Sequence, residues 1–224
     1  MAPAPAGGRL VMTESGLDHL VYATPDLDDA VEALSKLLGA PIEPGGSHPG
    51  WGTHNALFSL GAGTYFEIIG PDPQQPDPPG PRPFAIDHLE GGRLVTWAFR
   101  HPDPESAREL LIDLDIRLGP VRSKSRTRPD GTSLSWKLTE PEPLVEGGVI
   151  PFLIDWGSTP HPSSLTSSLT PSSCSLVRLA GRHPDPDRLR PALDALGADV
   201  SVFVGPAPGL SALLRTPRGE VELT

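Results

Sequence analysis

Two periods of hydrophobic and polar residues alternate along this chain, in an order that repeats. From His19, "HLVYATPDLDDAVEALSKLLGA" opens with a short strand-like apolar run and crosses a Pro-Asp turn. It continues with Leu27, Val31, Leu34, Leu37 and Leu38 at helical spacing. "TWAFRHPDPESARELLIDLDI" from Thr96 and "RLAGRHPDPDRLRPALDALGA" from Arg178 follow the same plan, aligned on Pro25, Pro102 and Pro184. Thr24 or Asp26 is placed to cap the first helix, and Pro25 fixes the backbone at its entry. Pro191 falls inside the third helical pattern, which predicts a short or broken helix there.

Further strand-like runs follow each helix. In the first unit they are Ala40 to Gly45, His54 to Leu60 and Tyr65 to Ile69, with "GAG" as a hairpin turn. In the second, Leu134 to Leu138 and Ile150 to Trp156 take these places; in the third, Val200 to Val204, Leu210 to Leu214 and Glu220 to Leu223. The expected fold is α+β, a βαβββ module three times over. Residues 1–16 read as a disordered leader in which Met12 is a second candidate start, 17–70 and 93–156 as two modules, and 175–224 as the third. A Pro-rich linker (71–92) and a Ser/Pro-rich linker (157–174) separate them. In the third module Val200, Val202 and Val204, and Leu210, Ala212 and Leu214, offer apolar faces at period two. This module is expected to pack on the first two and to supply no catalytic residue, with Glu222 the exception to check.

Composition narrows the setting. With 24 glycines and 29 prolines among 224 residues the chain approaches a disordered composition, but the prolines gather in "PDPQQPDPPGPRP" and in turns between periodic segments. A formal net charge of -10 argues against nucleic acid or an anionic membrane as the main partner. One cysteine, Cys174, rules out an intrachain disulfide, and a cytoplasmic setting is expected. No run has the length of a membrane span, and the first residues lack the apolar core of a signal peptide.

Strand parity selects the candidates for chemistry. His19, Val21 and Ala23 share one face of the first strand and Tyr65, Glu67 and Ile69 one face of the last strand of that unit, so His19 and Glu67 can meet on the face away from the helix. "GGSHPGWGTHN" places His48, Trp51, Thr53, His54 and Asn55 around a turn. Gly45 and Gly46 are expected there to take positive φ or to let backbone approach a ligand. His48 or His54 is a candidate acid-base group; Trp51, Thr53 and Asn55 are candidate ligand contacts. His54 and Asn55 point to opposite faces, so a regular strand sends only one of them inward. "SKSRTRPDGT" adds Lys124, Arg126 and Arg128, of which Arg126 and Arg128 are candidates for gripping a carboxylate or phosphate. A solvated hairpin loop remains the other reading of that segment. His101 and His183 read as strand-to-helix punctuation, His161 and Cys174 as structural or neutral. No nucleophile elbow, P-loop or dinucleotide fingerprint is present.

With "LDHLVYATPDLDDA", "GGSHPGWGTHN", "YFEIIGPDP", "SRTRPDG" and "PFLIDWG", the sequence resembles the glyoxalase-like domain family of the vicinal oxygen chelate superfamily (the glyoxalase, bleomycin resistance and extradiol dioxygenase group). The resemblance spans roughly Leu17 to Trp156. It implies a bowl built from the first two modules and metal ligands on the first and last strands of each, which His19 and Glu67 match. In the second module Thr96 lies opposite His19, and Asp155 lies within one residue of the place of Glu67. In the third, Arg178 replaces the histidine. A divalent Zn, Mn, Fe, Ni or Co ion held by His19, Glu67 and Asp155 and a metal-free bowl both remain open. The implied function is a glyoxalase-like small-molecule enzyme: a lyase, isomerase or oxygenase acting on a compact carbonyl- or carboxylate-bearing substrate. The alternatives are a non-catalytic small-molecule binding protein of the same fold and an assembly scaffold. The expected partner is a small molecule, with the chain a monomer or homodimer.

Overall fold

Three aspartates each start a helix. In the computed structural model, which describes residues 16–61, 63–127, 131–141, 143–162 and 173–224, Asp26 Oδ1 accepts the N–H of Asp29 at 3.0 Å. Asp103 accepts that of Ser106 at 3.1 Å, and Asp185 that of Arg188 at 3.4 Å. Each helix thus satisfies one of its orphan donors locally. The first and third end on glycines in the left-handed region, Gly39 and Gly197, at φ 65° and 71°.

The N-terminal unit comprises β1 (Gly16–Ala23), α1 (Leu27–Leu38), β2 (Glu43–His48), β3 (Thr53–Gly61) and β4 (Thr64–Pro71). The second comprises β5 (Arg93–Arg100), α2 (Pro104–Asp113), β6 (Val121–Thr127), β7 (Ser133–Thr139) and β8 (Phe152–Asp155). Together they make an α+β fold around one eight-stranded sheet in the order β2-β3-β4-β1-β5-β8-β7-β6. In each half the last strand runs parallel to the first, β4 beside β1 and β8 beside β5, and β1 and β5 join the halves antiparallel. The sheet curves until its two edge strands, β2 and β6, approach each other. Helix α1 buries Leu27, Leu34 and Leu38 under the convex face, while Leu37 turns to solvent. The concave face carries its own apolar lining, including Val21, Ile69, Phe152 and Ile154.

The proline-rich stretch after β4 contributes to that lining. A short 3-10 segment, Pro83–His88, buries Phe84 and Ile86 against it. Lys124 and Arg126 lie in β6, a regular strand paired with β7.

The C-terminal unit has the same element order but a different sheet. It comprises β9 (Ser175–His183), α3 (Pro186–Leu196), β10 (Ser201–Val204), β11 (Gly209–Thr216) and β12 (Gly219–Leu223). The strand order is β10-β9-β11-β12. Here the strand that runs parallel to the first is the one right after the helix, and β11 pairs on its other side. The C-terminal unit therefore repeats the order of elements without repeating the half-bowl. Helix α3 runs unbroken through Pro191, so the missing N–H costs a hydrogen bond without ending the helix. Leu210, Ala212 and Leu214 are buried, but β10 is an edge strand and leaves Val204 78% exposed. Of the expected apolar face of the valines, Val200 and Val202 pack partly buried against the core and Val204 does not. Leu189, Leu193, Leu210 and Leu214 share one core with Leu20, Phe66 and Trp97 of the large sheet. The N–H of Leu94 donates to the carbonyl of Thr224 at 3.0 Å, and His183 and Arg188 both bond Glu146 in the segment before β8.

Candidate functional site

His19 enters the bowl with its orientation already fixed. Neighbouring residues of a regular strand point to opposite faces, so Asp18 and His19 should not meet. Pairing with β5 slips between Leu17 and His19, leaving Asp18 as the extra residue of a β-bulge. The bulge allows Asp18 Oδ1 to sit 2.7 Å from His19 Nδ1. With Nδ1–H donated to that carboxylate, Nε2 is the nitrogen that faces the bowl. The imidazole stacks on Tyr65, its neighbour on β4, at 4.5 Å between centroids, and meets Phe152 edge-on at 5.5 Å.

Asp18 is fully buried and saturated with donors. Its Oδ2 lies 2.9 Å from Arg100 Nε and 3.1 Å from both Trp156 Nε1 and His161 Nε2. Burial alone pushes its carboxyl up. The hydrogen bonds from His161 and His19, with the electrostatic attraction of those rings, outweigh burial and hold it well below the usual carboxylate range. His161 Nε2 also lies 3.0 Å from Arg100, but one nitrogen cannot donate to Asp18 and accept from Arg100 at once; the buried carboxylate favours donation.

Glu67 lies across from this pair. Its Oε2 is 3.6 Å from His19 Nε2, and its Oε1 accepts from the amide of Asn55 and lies 4.0 Å from His48 Nε2. Asn55 needs its neighbour to be glycine. A Cβ on Gly45 would stand 2.1 Å from Asn55 Oδ1, so this glycine serves close approach rather than a positive φ. His48 is held by the buried hydroxyl of Thr53, 3.0 Å from Nδ1. Burial lowers its pKa to about 4 against the attraction of Glu67, with Arg126 and His54 adding to the effect, so its imidazole is neutral at neutral pH. Burial also raises the phenol of Tyr65 well above its usual range, and the charges of Asp18 and Glu67 add to that.

The facing wall is aromatic and cationic. Trp51 reaches over the mouth with Lys124 Nζ 4.5 Å from its ring, Arg126 is 6% exposed, and Trp136 packs 5.3 Å from Trp156. The cavity they enclose has a volume of about 70 Å³.

Two expectations change. His54 faces away from the bowl, as Asn55 takes the inward place, and lines a surface groove with Asp72 and Arg82. Asp155 alternates with Phe152 and Ile154, which line the bowl, so it turns outward and accepts the N–H of Gly157 at 2.8 Å. Arg128 lies outside the described residues. Glu222 is exposed and 3.7 Å from Arg178, and no described residue from 173 onward lines the bowl. Tyr65 shares the parity of Glu67, so its inward place is legible from spacing. That of Asp18 is not, because a bulge leaves no mark in the pattern; of the structural and neutral readings of His161, its bond to Asp18 gives the structural one.

The glyoxalase-like domain family model matches residues 17–197. The chain belongs to the glyoxalase-like domain family. Among solved structures, a hypothetical protein from Staphylococcus aureus superposes with a TM-score of 0.65 at 14% identity, covering 87% of this chain and 88% of that one. Methylmalonyl-CoA epimerase from Mycobacterium tuberculosis gives a TM-score of 0.43 at 22% identity, covering 63% and 88%. No curated protein matches the sequence.

The two halves of this glyoxalase-like bowl can be equated residue by residue. The helix caps align Asp26 with Asp103, which places Thr96 at His19 and Ala98 at Val21. Val21 pairs with Glu67 and Ala98 with Phe152, so the counterpart of Glu67 is Phe152 and not Asp155. Along the same ladders Asn55 corresponds to Leu138 and His48 to Lys124. A metal site shared between the halves does not fit this donor set, because the second half offers a threonine and a phenylalanine where ligands belong. Among the described residues no group of three or more His, Cys, Asp or Glu is arranged to hold an ion.

Proposed function

We propose that this chain is a small-molecule enzyme that moves a proton at a carbon next to a carbonyl group, with His19 as the base. The observation that carries this reading is the Asp18–His19 pair, with Nδ1 bonded to a buried carboxylate and Nε2 aimed into the bowl. In the forward step the C–H bond breaks, its proton goes to Nε2, and its electron pair moves onto the carbonyl oxygen to form an enolate. Asp18 fixes the ring and stabilises the imidazolium that forms, in the manner of a base oriented by a third group. Glu67, tethered by Asn55, is placed to receive the proton or return it to another face of the same carbon. General base catalysis of this kind contributes about 10²–10⁴-fold. The enclosed volume restricts the substrate to a compact molecule.

Proton NMR in D₂O tests it whatever the product. Small oxo and hydroxy acids incubated with the protein should lose the signal of the hydrogen next to the carbonyl. His19→Gln should slow that exchange about 100-fold or more. Asp18→Asn should slow it at unchanged substrate affinity. Exchange at the wild-type rate in His19→Gln would refute the assignment, and saturable binding without exchange would favour a container of the same fold.

A further inference from the structure

We infer that the half of the bowl built by β5 to β8 is the substrate-holding half, and that it takes a compact monocarboxylate whose anionic group is set against Lys124 and Arg126. The inference rests on the proton-transfer reading for where the reacting carbon goes, next to His19.

The first support is the broken symmetry. At four equivalent places the first half presents His19, His48, Asn55 and Glu67, and the second presents Thr96, Lys124, Leu138 and Phe152. Four acid-base or amide groups have given way to two apolar side chains, a hydroxyl and an ammonium. One half can exchange protons; the other can bury an apolar body and meet a charge.

The second support is charge. Arg126 is buried on β6, and its cation is felt at His48 and Tyr65 across the cavity. Lys124 stands at the mouth over Trp51. Among the described residues lining the bowl, Glu67 is the one carboxylate, and Asn55 already bonds it. In a protein of net charge -10, two cations facing one carboxylate make this cavity the exception. A flat carboxylate matches the fork of a guanidinium.

The third support is size. A cavity of about 70 Å³ has room for several water-sized groups, which suits a compact acid.

Intrinsic fluorescence reads binding directly, since Trp51, Trp136 and Trp156 line the bowl. Pyruvate, lactate and 2-oxobutyrate are titrated beside pyruvamide and lactamide, their neutral counterparts, and beside methylphosphonate. The acids should bind saturably and the amides about 30-fold more weakly, the worth of about 2 kcal/mol from a charged hydrogen bond. Lys124→Met and Arg126→Gln should each weaken the acids about tenfold or more and leave the amides unchanged. If Arg126→Gln fails to fold, Lys124→Met at the rim carries the comparison. Equal affinity of acid and amide, wild-type affinity in Lys124→Met, preference for the phosphonate, or no saturable binding of any acid up to about 50 mM would each overturn the inference. His19→Gln separates it from the proton-transfer reading. Acids that bind this variant but are no longer exchanged support both readings; wild-type protein that binds acids but exchanges none refutes proton transfer alone. Exchange that is blind to the acid group refutes this inference alone.

Discussion

His48 makes the stability of the protein depend on mildly acidic pH. Its imidazole titrates at about 4 in the folded chain against an ordinary 6.5, because burial disfavours the charged form. Between those values the unfolded chain binds the proton and the folded chain does not, so each step down in pH favours unfolding. The stability is fully present above about 6.5 and declines until the folded imidazole itself titrates near 4. A displacement of about 2.5 pH units at about 1.36 kcal/mol each sets a ceiling of about 3 kcal/mol, of which about 2 kcal/mol falls between pH 6.5 and 5. Urea unfolding at a series of pH values, followed by circular dichroism, measures it in wild type and in His48→Gln. The variant will lose stability at every pH through its bond to Thr53, but it cannot titrate, so its pH dependence should be shallower by about 2 kcal/mol over that interval. Parallel curves for the two proteins would refute the buried neutral imidazole.

Gly45→Ala should push Asn55 off Glu67 at a cost of about 1–3 kcal/mol, read as a lower midpoint of urea unfolding, since the new Cβ has 2.1 Å where it needs contact distance. An unchanged midpoint would show that Asn55 has room to move. Truncation after Trp156 removes Leu189, Leu193, Leu210 and Leu214 from the shared core, each worth about 2 kcal/mol of burial, and the fragment should aggregate or melt without cooperativity. A soluble, cooperatively melting fragment would overturn that expectation.

What the sequence discloses here is what obeys a period. The helices and the meeting of His19 with Glu67 follow from spacings of 3.6 and two, and they are where the pattern puts them. Asp18 escapes because a bulge suspends parity for one residue, and the network it anchors draws Arg100, Trp156 and His161 from distant parts of the chain. Asp155 lies in a strand whose alternation the sequence leaves open by one residue, and one residue is the whole difference between the bowl and solvent. The pairing of β10 with β9 shows a further limit. Element order is written along the chain, but which edge a strand joins is decided by the crossover and by the core it closes.

The eight-stranded sheet ends on both sides at the same place. Because β2 and β6 approach without joining in a ladder, the bowl has a seam that, among the described residues, no backbone hydrogen bonds hold shut. Prising the walls apart elsewhere means rupturing a ladder strand by strand. Along the seam it means releasing side chains, among them Lys124 from the face of Trp51, a contact worth about 0.5–1 kcal/mol at an exposed site. The seam is a hinged door and not a welded wall, closed by side-chain latches that single substitutions can tighten or loosen.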